Sequence, residues 1–227
     1  MTYSILVRDP LTGAFGGAAT TGSLCVGGWV LRGRLGAGLS ASQGAAPSTF
    51  WGEEVLDRLA LGLPADEAVM AVTQPDSGRA QRQLSALGQQ GEGAAFTGED
   101  NTPAMGHRLI AGGIVAGNLL ASEAVLDAVA EGYSDATGGI AERLIAALRA
   151  GESAGSDSRG LMSAALLVLH PAQAPLTLRV DYHESDPIGA LDDLHNRATN
   201  GLYAQWAKQV PTQNAPEQVL SADFFKN

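Results

Sequence analysis

The chain has 227 residues, 45% of them hydrophobic, with a mean hydropathy of +0.03: enough apolar material for one sizeable folded unit, and unlike a disordered or fibrous chain. Twenty-four acidic against fourteen basic residues give a net charge of −10, which repels phosphate backbones and anionic surfaces, so neither nucleic acid nor a membrane is an expected partner. No charged-then-apolar leader opens the sequence, no apolar run approaches ~18 residues, and the single cysteine, Cys25, has no CxxC companion, so a reducing, cytoplasmic location is expected with Cys25 as a buried, inert thiol.

Residues 3–7 read as an apolar strand, Asp9-Pro10-Leu11-Thr12-Gly13 as a turn, and residues 14–21 as the returning arm of a β-hairpin. A second hairpin is expected around Arg32-Gly33-Arg34, with arms at residues 29–31 and 35–42 whose glycines and alanines let another layer approach closely. Residues 49–61 set Phe50, Val55, Leu56 and Leu59 on one helical stripe, and Pro64 starts a further helix that runs through Val72. Alternation over residues 83–96 around Gln90-Gly91-Glu92-Gly93 predicts another hairpin, and residues 114–120 a strand. Helices are expected over residues 122–133, capped by Ser122, and over residues 139–149, stopping at Gly151. Residues 163–169 and 176–181 read as a closing strand pair. Locally paired strands and adjacent pairs of helices predict an α+β fold, two stacked antiparallel sheets flanked by helices. From Asp186 the composition turns charged and amide-rich, so the expected division is a main domain of residues 1–185 and a C-terminal helix (residues 187–209) with a peripheral arm, together residues 186–227.

The chemistry begins at Thr2. A threonine opening a strand is either structural or, if Met1 is removed, a nucleophile whose own α-amine, titrating near ~7.7–8.0, serves as its base. Acyl transfer also needs donors for the developing oxyanion, and Asn118, in the Gly117-Asn118 step of a strand, is the candidate; the other reading is an amide bonding a neighbouring loop. Gln43 closes a strand before Gly44 and either presents its amide to a cleft or serves a turn. Asp157 and Arg159, in a glycine-bounded loop, either bind a substrate carboxylate or fix the loop. Arg8 and Asp9 suit turn chemistry. The four histidines show no metal-binding spacing; Asp181 and His183, two apart on one expected strand, are a weak metal or acid–base pair, and no metal or cofactor is expected. Ala111-Gly112-Gly113 and Gly36-Ala37-Gly38 lack the context of phosphate loops.

Three blocks taken together, residues 2–13 (TYSILVRDPLTG), Gly117-Asn118-Leu119-Leu120, and Gly155-Ser156-Asp157-Ser158-Arg159-Gly160 leading into Ser163-Ala164-Ala165-Leu166, resemble the bacterial domain of unknown function 1028 family over about residues 2–195. That family is grouped with the N-terminal nucleophile (Ntn) hydrolases, so the resemblance implies a four-layer αββα sandwich and an amide-hydrolase ancestry, with Thr2 as nucleophile. Three features depart from the pattern. Met162 stands where the family commonly has Gln, no lysine precedes Lys208, and the tail is not the peptidoglycan-binding type of appendage found in some members.

The expectation is a hydrolase of a small amide or peptide-like substrate, with Thr2, Asn118 and Gln43 catalytic, Asp157 and Arg159 binding substrate, and Gln43, Asn118 and the 157–159 loop converging on Thr2. The alternative is a catalytically silent protein of the same fold that binds a small ligand or a partner chain. Phe50, Trp51, Tyr203 and Trp206, aromatics placed near the surface, predict a homo-oligomer.

Overall fold

The computed structural model describes residues 1–155, 160–222 and 224; Asp157 and Arg159 lie outside the described residues. The larger sheet is built from β1 (Thr2–Arg8), β2 (Phe15–Thr21), β7 (Ala104–Ile110), β8 (Gly113–Leu120), β9 (Ser163–Leu169) and β10 (Leu176–Val180), in the antiparallel order β10-β9-β2-β1-β8-β7. The smaller holds β3 (Leu31–Arg34), β4 (Gly38–Gly44), β5 (Arg82–Leu87) and β6 (Gly93–Thr97), side by side in chain order. Seven α-helices complete the described fold: α1 (Val26–Trp29), α2 (Thr49–Ala60), α3 (Ala65–Thr73), α4 (Ala124–Asp135), α5 (Ile140–Ser153), α6 (Pro187–Thr199) and α7 (Gly201–Ala207).

The period-2 alternation of β1 explains its central place. Tyr3, Ile5 and Val7 pack with α4, α5 and α6 in one apolar cluster, while Leu6 belongs to a second cluster shared with Leu31, Leu39, Ala41 and Leu87 of the smaller sheet. A third cluster joins Leu84 and Ala86 to Trp51, Val55 and Leu59 of α2 and Val69 of α3. The layers therefore run helices, sheet, sheet, helices, and a strand that is buried on both faces reads as the unbroken Ile5-Leu6-Val7 run. Thr2 and Ser4 share the inner face with Leu6, so the start of β1 delivers hydroxyls between the two sheets.

Several boundaries differ from expectation. Residues 26–29 form a single helical turn instead of a strand arm, so the second hairpin starts at Leu31 and reverses through residues 35–37. Strand β7 escaped the pattern because it lies at the sheet edge, is interrupted by Gly106, and has only partly buried or exposed residues. Ser122 does not cap α4, which starts at Ala124 with no side-chain cap. Helix α5 continues through Gly151 to Ser153; a Cβ there would stand 2.6 Å from Val129 and 2.8 Å from the Tyr3 ring, so this glycine serves close packing and not a stop. The single C-terminal helix is two, broken where Gly201 takes φ +68°. Of the part set apart from residue 186 onward, α6 buries Ile188 and Leu191 in the main core, whereas α7 buries no residue. Trp51, expected near the surface, is 4% exposed and packs edge-on to Phe96; Phe50 beside it is exposed, as are Tyr203 and Trp206, which pack on each other.

Candidate functional site

Antiparallel pairing puts Thr2 opposite Thr21 on one side and Asn118 on the other, while Thr21 faces Ser163. One row across the larger sheet therefore reads Ser163, Thr21, Thr2, Asn118, all neutral and all buried. Facing it from the smaller sheet, Gln43 pairs with Gln83 and Gln83 with Thr97. The two rows are joined. Ser4 Oγ donates to Gln43 Oε1 at 2.9 Å, Gln43 Nε2 donates to Gln83 Oε1 at 2.7 Å, and Gln83 Nε2 reaches Thr97 Oγ1, Gly106 O and the carbonyl of Gly117, next to Asn118, at 2.8–3.0 Å.

Hydroxyl stoichiometry fixes a direction at Thr2. Thr21 Oγ1 donates its only proton to the Met1 carbonyl, so the 3.0 Å contact between Thr2 Oγ1 and Thr21 Oγ1 has Thr2 as donor. Asn118 is fully buried, and among the described residues neither its Oδ1 nor its Nδ2 has a hydrogen-bond partner, a costly state at ~1–3 kcal/mol per polar group. The next residue, Leu119, takes φ +56°, a left-handed conformation that is strained for a large side chain. Beside Thr2, burial pushes the Tyr3 phenol well above its ordinary value, and its OH donates to Leu148 O at 2.8 Å, which makes it a neutral prop and not a base.

A cleft of about 400 Å³ opens beside these groups, lined by Thr2, Thr21 and Gln43 together with Leu24, Trp29 and Pro47. Among the described residues the charged member of its lining is Arg82, which is ion-paired to Asp76 at 3.1 Å and has its Cζ 5.8 Å from the Trp51 ring centre. Two residues that the sequence did not single out hold the site together. Gln83 bridges the sheets as described, and the available sign was a polar residue on the inward side of an alternating strand. Asn101, also fully buried, accepts from Ala45 N on the cleft wall at 2.9 Å and donates to Gly98 O at 2.9 Å and Arg82 O at 3.2 Å; its carbonyl accepts from Leu119 N at 3.0 Å. Nothing in its Asp-Asn-Thr-Pro surroundings marked it as more than a turn residue.

Gln43 lines the cleft beside Thr2, whereas Asp9, Asp181 and His183 are not in its lining. Gln43 sits inside β4, not at its end, with its amide engaged by Ser4 and Gln83. Asp9 serves its turn by accepting from Leu11 N at 2.8 Å, and this hydrogen bond holds its carboxyl below the usual range. Asp181 and His183 are not neighbours on a strand face, because β10 ends at Val180; Asp181 pairs with Arg179, and His183 Nδ1 accepts from the Asp186 N–H at 2.9 Å. Among the described residues no group of three or more His, Cys, Asp or Glu side chains is arranged to hold a metal. Cys25 is only partly buried and takes φ +62° ahead of α1, which corrects the expectation of a buried thiol. Among the described residues no helix is long and apolar enough to cross a membrane.

The family model described as a family of unknown function (DUF1028) matches residues 2–191. A solved crystal structure, described as protein SPO2555 from Silicibacter pomeroyi with the DUF1028 family model, is 56% identical and superposes with a TM-score of 0.93, covering 97% of this chain and 99% of that one. Comparison with curated proteins gave no match.

Proposed function

The chain belongs to the DUF1028 family, and from that premise we propose that it is an Ntn-type hydrolase of a small amide or peptide-like substrate, working without cofactor or metal and with Thr2 as nucleophile once Met1 is removed. The layer order and the resemblance at residues 2–13 support reading the fold as an Ntn-like αββα sandwich. The observation that carries the proposal is the position of the Thr2 hydroxyl: at the start of a central strand, in the wall of a cleft, with a buried amide as its strand neighbour that has no partner among the described residues.

In this reading, loss of Met1 leaves Thr2 with a free α-amine and removes the carbonyl that Thr21 Oγ1 now engages, so Thr21 becomes able to donate to Thr2. Thr2 Oγ1 attacks the substrate carbonyl carbon as its proton passes to the Thr2 amine. The oxyanion takes a hydrogen bond from the Asn118 amide, and the C–N bond then breaks as the Thr2 ammonium returns its proton to the leaving amine. Water, deprotonated by the same amine, cleaves the threonyl ester and restores the hydroxyl. Gln43 acts here as a fixed wall of the cleft, positioned by Ser4 and Gln83.

The test is the mass of protein made in its native host, followed by treatment with a β-lactone electrophile. A mature chain beginning at Thr2 and acylated once, on Thr2, supports the proposal; Met1 retained throughout, with no Thr2 adduct, removes the base and defeats it. One observation favours the second reading, a silent protein of this fold that binds a small ligand or partner chain: Met1 is itself 5% exposed and packed in the helix-side core, so in the folded chain the Met1–Thr2 bond is not open to an exopeptidase.

A further inference from the structure

The cleft beside Thr2 is chemically two-sided. Its lining combines the hydroxyls and amide of Thr2, Thr21, Ser23 and Gln43 with an apolar set, Leu24, Val26, Trp29, Val30 and Pro47, and among the described residues no aspartate or glutamate is part of it. Within that wall Trp29 is 51% exposed and Leu24 54%, although most large apolar side chains of this chain are buried. Both are held there by the local fold. Gly27 and Gly28 press α1 against β9 and β10 so closely that a Cβ at either would stand 2.7 Å from Arg179, and a Cβ at Gly27 would also stand 2.7 Å from Ala165. Val26 N, at the start of that turn, donates to Ser163 Oγ, which in turn donates to Ser23 O. The row that carries Thr2 thus also anchors the turn that carries Trp29, and both residues line one cleft.

We propose that this wall is the seat of a flat, apolar aromatic group, so that the substrate class is a small amide of an aryl-bearing acid whose ring lies on Trp29 and whose carbonyl lies at Thr2. The inference rests on the hydrolase reading for its carbonyl end only. A cleft of about 400 Å³ suits a small molecule and not a folded partner. An indole face half open to water gains from a second ring stacked on it. The described lining, in which Arg82 is the charged member, favours a neutral or anionic ligand over a cationic one, despite the net charge of −10. The acid product would carry its carboxylate at Thr2, and Thr21 and Gln43 also line the cleft.

The probes are 3-phenylpropionate and propionate, which share the carboxylate and differ by the ring. Each is titrated calorimetrically into the full chain, into Trp29→Ala and into Thr2→Ala, with sedimentation of all three proteins. The expected result is that 3-phenylpropionate binds about tenfold or more tighter than propionate to the unaltered chain, that Trp29→Ala removes most of this preference, and that Thr2→Ala keeps it. Equal affinity for the two acids, including no detectable binding of either at 10 mM on the order of a weak-ligand ceiling, overturns the proposal. So does a Trp29→Ala protein that keeps the preference, or a dimer of the unaltered chain that Trp29→Ala dissociates, since a second copy would then cover the wall. The catalytic reading fails separately, through retention of Met1, which leaves the ring preference intact.

Discussion

The space between the two sheets has a polar end and an apolar end, built by the same strands about 13 Å apart along β1. At the apolar end the larger sheet contributes the row Leu167, Gly17, Leu6, Ile114 and the smaller sheet the row Gly33, Leu39, Leu87, Gly93. At the polar end the corresponding rows are Ser163, Thr21, Thr2, Asn118 and Gln43, Gln83, Thr97. Backbone geometry is shared, so the difference lies in the side chains. Apolar rows gain from leaving water at roughly 1.5–3 kcal/mol per large side chain, whereas polar rows only recover what their hydrogen bonds return, and Asn118 recovers none among the described residues. Closely packed apolar rows hold the sheets together, and the polar rows at the other end are thereby kept in register at a position where stability alone would not have placed them.

The largest effect expected from breaking this contrast is on chemistry. Thr2→Ala should abolish hydrolysis and β-lactone labelling while changing the urea unfolding free energy by only ~0.5–1.5 kcal/mol, the worth of one hydrogen bond to Thr21. Activity of the unaltered protein should rise as pH passes through about 7–8, where the α-amine loses its proton. Full activity in Thr2→Ala would remove Thr2 from the mechanism. At the apolar end the converse holds. Leu6→Ala, at a fully buried position packed against Gly17, should cost about 2–5 kcal/mol in denaturant titration, and any activity lost should return in proportion to the folded fraction.

The two ends were unequally legible in the sequence. Alternation and continuous apolar runs placed β1, β2, β8, β9 and the helix pairs, because burial imposes a period that survives in one dimension. Position within a row does not survive in that way. That Thr2 and Asn118 are neighbours depends on the register of β1 against β8, and those residues are 116 positions apart in the chain. Gln83 and Asn101 were missed for the same reason, since a buried amide bridging sheets has the same composition as an exposed one in a loop. Trp51 was misplaced because one helical stripe and its neighbour differ by 100° and only packing against Phe96 decides between them.

Asn118 sharpens the contrast, because function and stability should move in opposite directions there. Asn118→Leu replaces two polar atoms that have no partner among the described residues with an apolar group of similar size, which should leave stability unchanged or raise it by up to ~1 kcal/mol. If its amide donates to the oxyanion, the same change should lower kcat by about 10²–10³ with little change in KM. Unfolding titration and steady-state kinetics on one preparation decide the matter. A variant that is both less stable and fully active would mean that Asn118 is structural.

The smallest effect concerns acid. Among the described residues, the paired rows at neither end contain a titratable side chain, so their acid sensitivity comes from outside them. Asp186 is the clearest source. Its hydrogen bond from Arg149, with a further one from Gly189 N at the start of α6, holds its carboxyl below the usual range. A depressed folded-state value means that the stabilisation is present above the unfolded carboxyl value of ~3.9 and is lost as pH falls through the folded one. The pair is partly open to solvent, which keeps the contribution modest and makes it weaker in salt. Asp186→Asn should therefore lower the urea midpoint slightly at pH 7 and bring the mutant and unaltered curves together as pH falls below the unfolded carboxyl value, whereas Thr2→Ala and Asn118→Leu should follow the unaltered chain at a constant offset through that range. A gap between Asp186→Asn and the unaltered chain that stays equally wide through that fall would show that the residue acts through the helix cap alone and not through its charge.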